Sequence, residues 1–307
     1  MELVDAHHHF WDLGGSNHPW LCEPPWIKFR YGDYAAIRRN YLLKDYLRDT
    51  GAHTLLGSVH VEAEWHAQDP VGETRWLSKV LSSSPHPVVL VVQARLDQQN
   101  VGEVLNQHAA FEQVRGVRHK PRSAPIAADA QRDQPGSMDD PNWRDGYARL
   151  ALHNFSFDLQ TPYWHLDQAA DLARDFPDTR LILNHTGMPL SRHGPELIAW
   201  RSGMEQVARQ DNTAVKISGL GLPGQRWDIS SNRQVIHDTI AIFGIERTMF
   251  ASNFPVDRLC VDFNTLWSGF AAIVKDLPRA DQHKLFCTNA RSYYRIPEIN
   301  GDYSTQR

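Results

Sequence analysis

Two histidines one residue apart, His7 and His9, open the chemistry of this chain in the run VDAHHHFWD at residues 4–12. On an extended strand, residues i and i+2 point the same way, so His7 and His9 form the working pair and His8 faces the opposite side. Imidazoles so placed either ligate a divalent metal or hydrogen-bond a substrate carbonyl. The triplet continues the apolar lead-in Glu2-Leu3-Val4-Asp5-Ala6, which marks it as native and not as an appended tag. Further reactive types close later apolar runs: Glu62 and Glu64, Arg118, Asp158 and Gln160, His185 and Asn253.

The elements that must position these residues alternate. Short runs rich in Val, Ile and Leu occur at 2–7, 54–61, 88–96, 114–119, 155–160, 180–185, 213–219 and 247–252. They lack strict polar alternation, as strands covered on both faces do. Between them lie segments with apolar residues at helical spacing, such as YWHLDQAADLARDF and ELIAWRSGMEQVARQ, and a terminal stretch reads as two helices broken near Pro278. Strand alternating with helix predicts a parallel sheet, and eight such units predict a single distorted (β/α)8 barrel over residues 1–307. An open doubly wound sheet is the competing architecture, but no glycine-rich phosphate loop follows the first strand. Barrel active sites lie at the C-terminal ends of the strands, where the reactive residues cluster.

Composition removes other classes. A net charge of −4 offers no basic footprint for nucleic acid, and no apolar stretch approaches the ~20 residues of a membrane span. The N-terminus lacks a signal-peptide pattern, and Cys22, Cys260 and Cys287 lack metal or disulfide spacing, so a cytoplasmic enzyme acting on a small molecule is expected. Oligomeric state is left open. The segment HPWLCEPPWIKFRYGDY, residues 18–34, carries much of the aromatic content and reads as a pocket wall or lid, with Trp26 and Arg30 as substrate contacts.

The runs VDAHHHFWD, GVRH (116–119), LILNHTGMP (181–189), VKISGL (215–220), MFASNFPVD (249–257) and the closing FCTNARSYYRI resemble, in order and spacing, the lactonase-like branch of the amidohydrolase superfamily. The resemblance spans essentially the whole chain. It implies a hydrolase opening a lactone, with His7 and His9 on a metal or the substrate carbonyl, His185 helping to polarise that carbonyl, and Arg118 binding an anionic group. A lactone isomerase using the same pocket and a non-catalytic sugar-acid binding protein are the alternatives.

One position departs from the pattern. Where the branch usually carries the aspartate of an SDWP-like motif, this chain has Asn253. An amide orients water but cannot deprotonate it. Glu62 is therefore expected to serve as base, with Glu64, Asp158 and Asp257 as further carboxylates; the competing role for Glu62 is a salt bridge to Lys216, which lies in an apolar strand and needs a partner. His7, His9 and His185 would supply the three ligands of one weakly held divalent ion, zinc, although imidazole hydrogen bonds suffice for an activated carbonyl without it. Arg118 and Arg122, with Asp158, Trp26 and Arg30, are the expected substrate contacts, which points to a polar, carboxylated or hydroxylated lactone.

Overall fold

The computed structural model describes residues 1–298, so the expected single domain over 1–307 runs past the described residues at its end. Eight parallel strands follow one another in chain order: β1 (Glu2–His8), β2 (Thr54–Val61), β3 (Val88–Gln93), β4 (Val114–Arg118), β5 (Ser156–Leu159), β6 (Leu181–Leu183), β7 (Thr213–Ile217) and β8 (Thr248–Phe250). Helices alternate with them, which is the (β/α)8 arrangement expected from the sequence. The last strands are shorter than the apolar runs suggest. The backbone turns left-handed at His185 and Asn253, which ends extended pairing just beyond β6 and β8.

The helices form where caps and apolar spacing coincide. Asp140, with Pro141 after it, caps Pro141–Ala148; Asp228 caps Ile229–Phe243; Asp262 caps Phe263–Ile273, each carboxylate accepting a backbone N–H of the first turn. Gly194–Ala208 turns Leu197, Trp200, Met204 and Val207 inward at spacings of three and four. Beyond the break before Pro278, Arg279–His283 continues through a π-type turn, Lys284–Thr288, into Asn289–Tyr293. No helix among the described residues is long and apolar enough to cross a membrane.

Closure of the barrel is not a regular ladder. The segment after β8 meets β1 through a parallel bridge of His8 with Phe254, with His9 N–H donating to the Phe254 carbonyl at 2.7 Å and Asn253 N–H to the His7 carbonyl at 2.7 Å. The buried carboxylate of Asp5 completes the seam, accepting from Ser252 N–H at 2.8 Å, Ser252 Oγ at 2.6 Å and the Tyr46 hydroxyl at 2.8 Å. Burial raises the Asp5 carboxyl to about 6 despite these donors.

Inside the barrel, Lys216 of β7 and Asp158 of β5 form an ion pair of 2.5 Å with both side chains wholly buried. Tyr294 adds its hydroxyl to Asp158 at 2.9 Å and its ring to the lysine at 4.7 Å. Lys216 has the partner its surroundings demand, and that partner is Asp158 and not Glu62. A buried charge left alone costs more than the pair gains. Lys216→Met is therefore expected to lower unfolding stability by roughly 3–5 kcal/mol, measured by urea denaturation, and the double variant Lys216→Met/Asp158→Leu to recover much of that loss. Equal stability of the two variants would show that the orphaned carboxylate is not the cause.

Candidate active site

Parity along β1 sets the floor of the site. His7 and His9 turn to the barrel interior, with Nε2 atoms 3.2 Å apart, while His8 stacks on Tyr46 of the Leu43–Thr50 helix at 4.4 Å and bonds Ser58 Oγ at 2.9 Å. His185 stands beside the pair, its ring 4.8 Å from that of His7. His9 and His185 line a cavity of about 230 Å³; His7 lies beneath them and does not reach it. The volume falls below the ~300–1,000 Å³ typical of drug-sized ligands and suits a single small ring.

All three imidazoles are held neutral. Burial lowers each well below the usual histidine value, assisted chiefly by Lys216 at His7, Arg118 at His9 and Arg30 at His185. His9 Nδ1 sits 2.7 Å from the Val61 carbonyl oxygen, which only accepts, so Nδ1 carries the proton and Nε2 presents a lone pair. A hydrogen of His7 or a cation must then occupy the gap between the two Nε2 atoms. His185 Nδ1 lies 2.9 Å from Ser218 Oγ, which frees its Nε2.

The strand-end turns carry backbone strain. Glu64, His185, Thr186, Met188 and Asn253 all have φ between 51° and 57°, and all but Thr186 line the cavity. Such left-handed conformations cost of order 1–3 kcal/mol each for residues other than glycine and collect at functional sites. Gly219, at φ +60°, makes room for them: a Cβ there would lie 2.6 Å from His185 Nδ1.

Four expected roles change. Glu62 is not free to act as base, because Oε1 takes Arg118 Nε at 2.5 Å and Oε2 accepts the Glu64 N–H at 2.7 Å, and the residue lies outside the cavity lining. Asp158 is not a substrate contact; it is spent on Lys216 and Tyr294 below the site. Arg122 and Trp26 also stand away from the cavity, Arg122 in a separate surface depression and Trp26 exposed beneath the Arg38 guanidinium at 3.8 Å. Proximity in sequence to cavity residues does not bring either one into the cavity, because each lies on a loop of irregular path. Arg30 and Arg118 do line the cavity, with Lys28, Lys120, Gln160 and Asn253. Glu64 is the one carboxylate in that lining and pairs with Lys120. The 18–34 segment forms a wall as expected, but through Trp20, Ile27, Lys28, Phe29 and Arg30, with Trp11 beside them.

The expected three-histidine metal set is not assembled. Two imidazoles on one tetrahedral zinc, with bonds of ~2.0–2.1 Å, stand about 3.4 Å apart, close to the His7–His9 separation. Among the described residues, however, no three His, Cys, Asp or Glu side chains converge as ligands, and His7 Nδ1 has no partner of the kind that orients a metal-bound imidazole. The pair supplies two ligand positions and His185 does not close the third.

Substitution should separate the triplet. His9→Asn and His185→Asn are expected to reduce turnover at least 100-fold, the lower end of ~10²–10⁴ for groups acting on the reacting atoms. His8→Asn should change the melting temperature and leave kcat/KM within about threefold. Comparable activity losses at His8 and His9, measured on folded protein, would contradict the two-sided placement.

The amidohydrolase family profile matches residues 4–296. A protein of Sinorhizobium fredii, the uncharacterized protein y4mH, is 37% identical over 96% of this chain and 99% of its own. An L-fucono-1,5-lactonase of Burkholderia ambifaria is 25% identical, covering 99% of each. The crystal structure of an amidohydrolase from Burkholderia multivorans with bound zinc superposes with a TM-score of 0.77 at 22% identity, over 97% of this chain and 100% of that one. With a profile match that covers nearly every described residue, the chain belongs to the amidohydrolase family.

Proposed function

We propose that the protein is a lactonase that opens a small polar lactone carrying a carboxylate. The observation that carries this reading is the cavity itself: neutral His9 and His185 with Asn253, surrounded by Lys28, Arg30, Arg118 and Lys120 against the single carboxylate Glu64. The L-fucono-1,5-lactonases of Burkholderia and an L-rhamnono-gamma-lactonase of Scheffersomyces stipitis among its relatives support the reaction class.

The chemistry follows from the geometry. His185 donates from Nε2 to the lactone carbonyl when Ser218 donates to Nδ1, and the surrounding cations favour the negative charge that develops on that oxygen. Water held by Asn253 attacks the carbonyl carbon. As the ring C–O bond breaks, the ring oxygen takes up the proton that water gives up, so one lactone and one water become one hydroxy acid. Arg118, fixed by Glu62 and by Gln160 at 3.2 Å, meets the substrate's carboxylate from the rim, together with Arg30.

Acid release followed with a pH indicator across neutral and carboxylated lactones tests the assignment. Turnover is expected, and Arg118→Met should raise KM for acidic lactones about tenfold more than for neutral ones. Ring-size change without acid would make the protein an isomerase, and binding without turnover a sugar-acid binding protein. In a separate check, chelation with elemental analysis is expected to leave turnover intact, since only two ligand positions are built; joint loss of zinc and activity would assign the carbonyl polarisation to the metal.

A further inference from the structure

Asn253 occupies the place where a carboxylate would serve the attacking water, yet a carboxylate stands directly behind it. Asp257, fully buried and outside the cavity lining, accepts from Asn253 Nδ2 at 2.7 Å and from the Tyr31 hydroxyl at 2.9 Å on Oδ1, and from the Gly219 N–H at 3.1 Å on Oδ2. These donors come from three separate parts of the site: the turn after β8, the aromatic wall and the end of β7. Of the two heteroatoms of the Asn253 amide only the nitrogen can donate, so this contact assigns the amide orientation and leaves Oδ1 for the cavity that Asn253 lines.

We propose that Asp257 is the positioning residue for the attacking water, its negative charge acting through the Asn253 amide so that Oδ1 orients and polarises the water as a stronger acceptor than a lone amide. The inference rests on the lactonase reading above. A charged partner on the N–H side strengthens the carbonyl side of the same amide, because linked hydrogen bonds polarise one another in a low-dielectric interior. Asp257 itself takes no proton from water in this arrangement. The neutral donors that hold it keep the charge fixed while leaving it uncancelled by direct ion pairing.

The groups facing Asp257 are few. Arg30 and Tyr31 come from the aromatic wall, with Arg30 bonding the Tyr31 hydroxyl at 2.7 Å and the Gly219 carbonyl. Cys260 lies on the same turn, its thiol pushed up by burial and then by Asp257. The Arg30 charge also reaches His185 and Arg192. Tyr31 is held protonated, with burial raising it well above the usual phenol range. Burial likewise raises Asp257, to about 6, with Arg30 opposing it. The charge is therefore present above that pH and lost as pH falls through it.

The test is the pH dependence of lactone hydrolysis in the wild type, Asp257→Asn, Asn253→Asp and the double swap. The wild type should lose kcat on the acid side with a midpoint near 6. Asp257→Asn should lower kcat about 100-fold, the low end of ~10²–10⁴ for proton-related assistance, abolish that acid limb and keep KM within about threefold. Asn253→Asp sets two carboxylates in hydrogen-bond contact, so the pair shares a proton and the limb should move to higher pH. Asn253→Asp/Asp257→Asn restores one amide and one carboxylate and should regain kcat to within about tenfold of wild type. Asp257→Asn with unchanged kcat and pH profile, or a swap no better than Asp257→Asn, overturns the proposal. Infrared titration keeps this separate from the lactonase reading. The Asp257 protonated-carboxyl band, read as the wild-type minus Asp257→Asn difference because Asp5 also titrates near 6, should grow below about pH 6 and be displaced in the swap, whether or not any lactone is hydrolysed. Its absence overturns the pairing, whereas absent turnover with the band present overturns the lactonase reading alone.

Discussion

The Asp5 carboxylate holds together the structure on which the site depends. Eight parallel strands do not close by backbone pairing alone here, because β8 is three residues long and the chain beyond it turns away at Asn253. Asp5 supplies what the missing ladder would have supplied, taking donors from Ser252 after β8 and from Tyr46 on the first outer helix. That seam sets β1 against the post-β8 turn, and the two carry the histidine pair and Asn253. Burying a carboxylate costs stability, and its donors offset the cost while fixing a unique alignment. A single unpaired strand end would leave both halves of the site adrift.

Charge is layered along the barrel axis. Lys216 and Asp158 pair within the barrel, with Tyr294 covering both. Above them the three imidazoles are neutral because burial and the nearby cations leave no room for another positive charge. Higher still, cations at the rim outnumber the one carboxylate of the lining. The gradient favours an anionic ligand at the mouth and a developing oxyanion at the histidines, with Lys216 adding to the positive field at His7. Arg118 connects the levels, tied to Glu62 below and open to the cavity above.

Backbone strain at the strand ends serves the same arrangement. Left-handed residues at Glu64, His185, Met188 and Asn253 turn the chain sharply enough for side chains from different strands to share one small cavity. Gly219 yields the space that His185 needs and lends its N–H to Asp257 and its carbonyl to Arg30. The walls come from packed rings, Trp20 stacked on Phe29 at 5.8 Å and Phe29 tilted against Tyr34 at 4.9 Å.

Periodicity by itself determined the eight alternating strand and helix units and so pointed to the barrel. Apolar runs that lack alternation need cover on both faces, and only alternating helices give it. The same two-residue period determined that His7 and His9 share a side and that His8 does not, because pleat parity is local, and it held despite the register shift between Asp5 and His8. Arg118, His185, Asn253 and Arg30 were legible as strand-end or loop residues of useful chemistry. Partner choice was not. Glu62 and Asp158 both fall near the end of an apolar run, and nothing along the chain says which carboxylate meets Lys216 and which meets Arg118; the closed barrel decided it. The depth difference between His7 and His9, the failure of His185 to converge on them, and the removal of Trp26 and Arg122 from the cavity follow from loop paths and left-handed turns, which leave no periodic trace. The contact of Asp257 with Asn253 was half visible, since four residues separate them, but its meaning came from Tyr31 and Gly219, brought alongside only by the closed barrel.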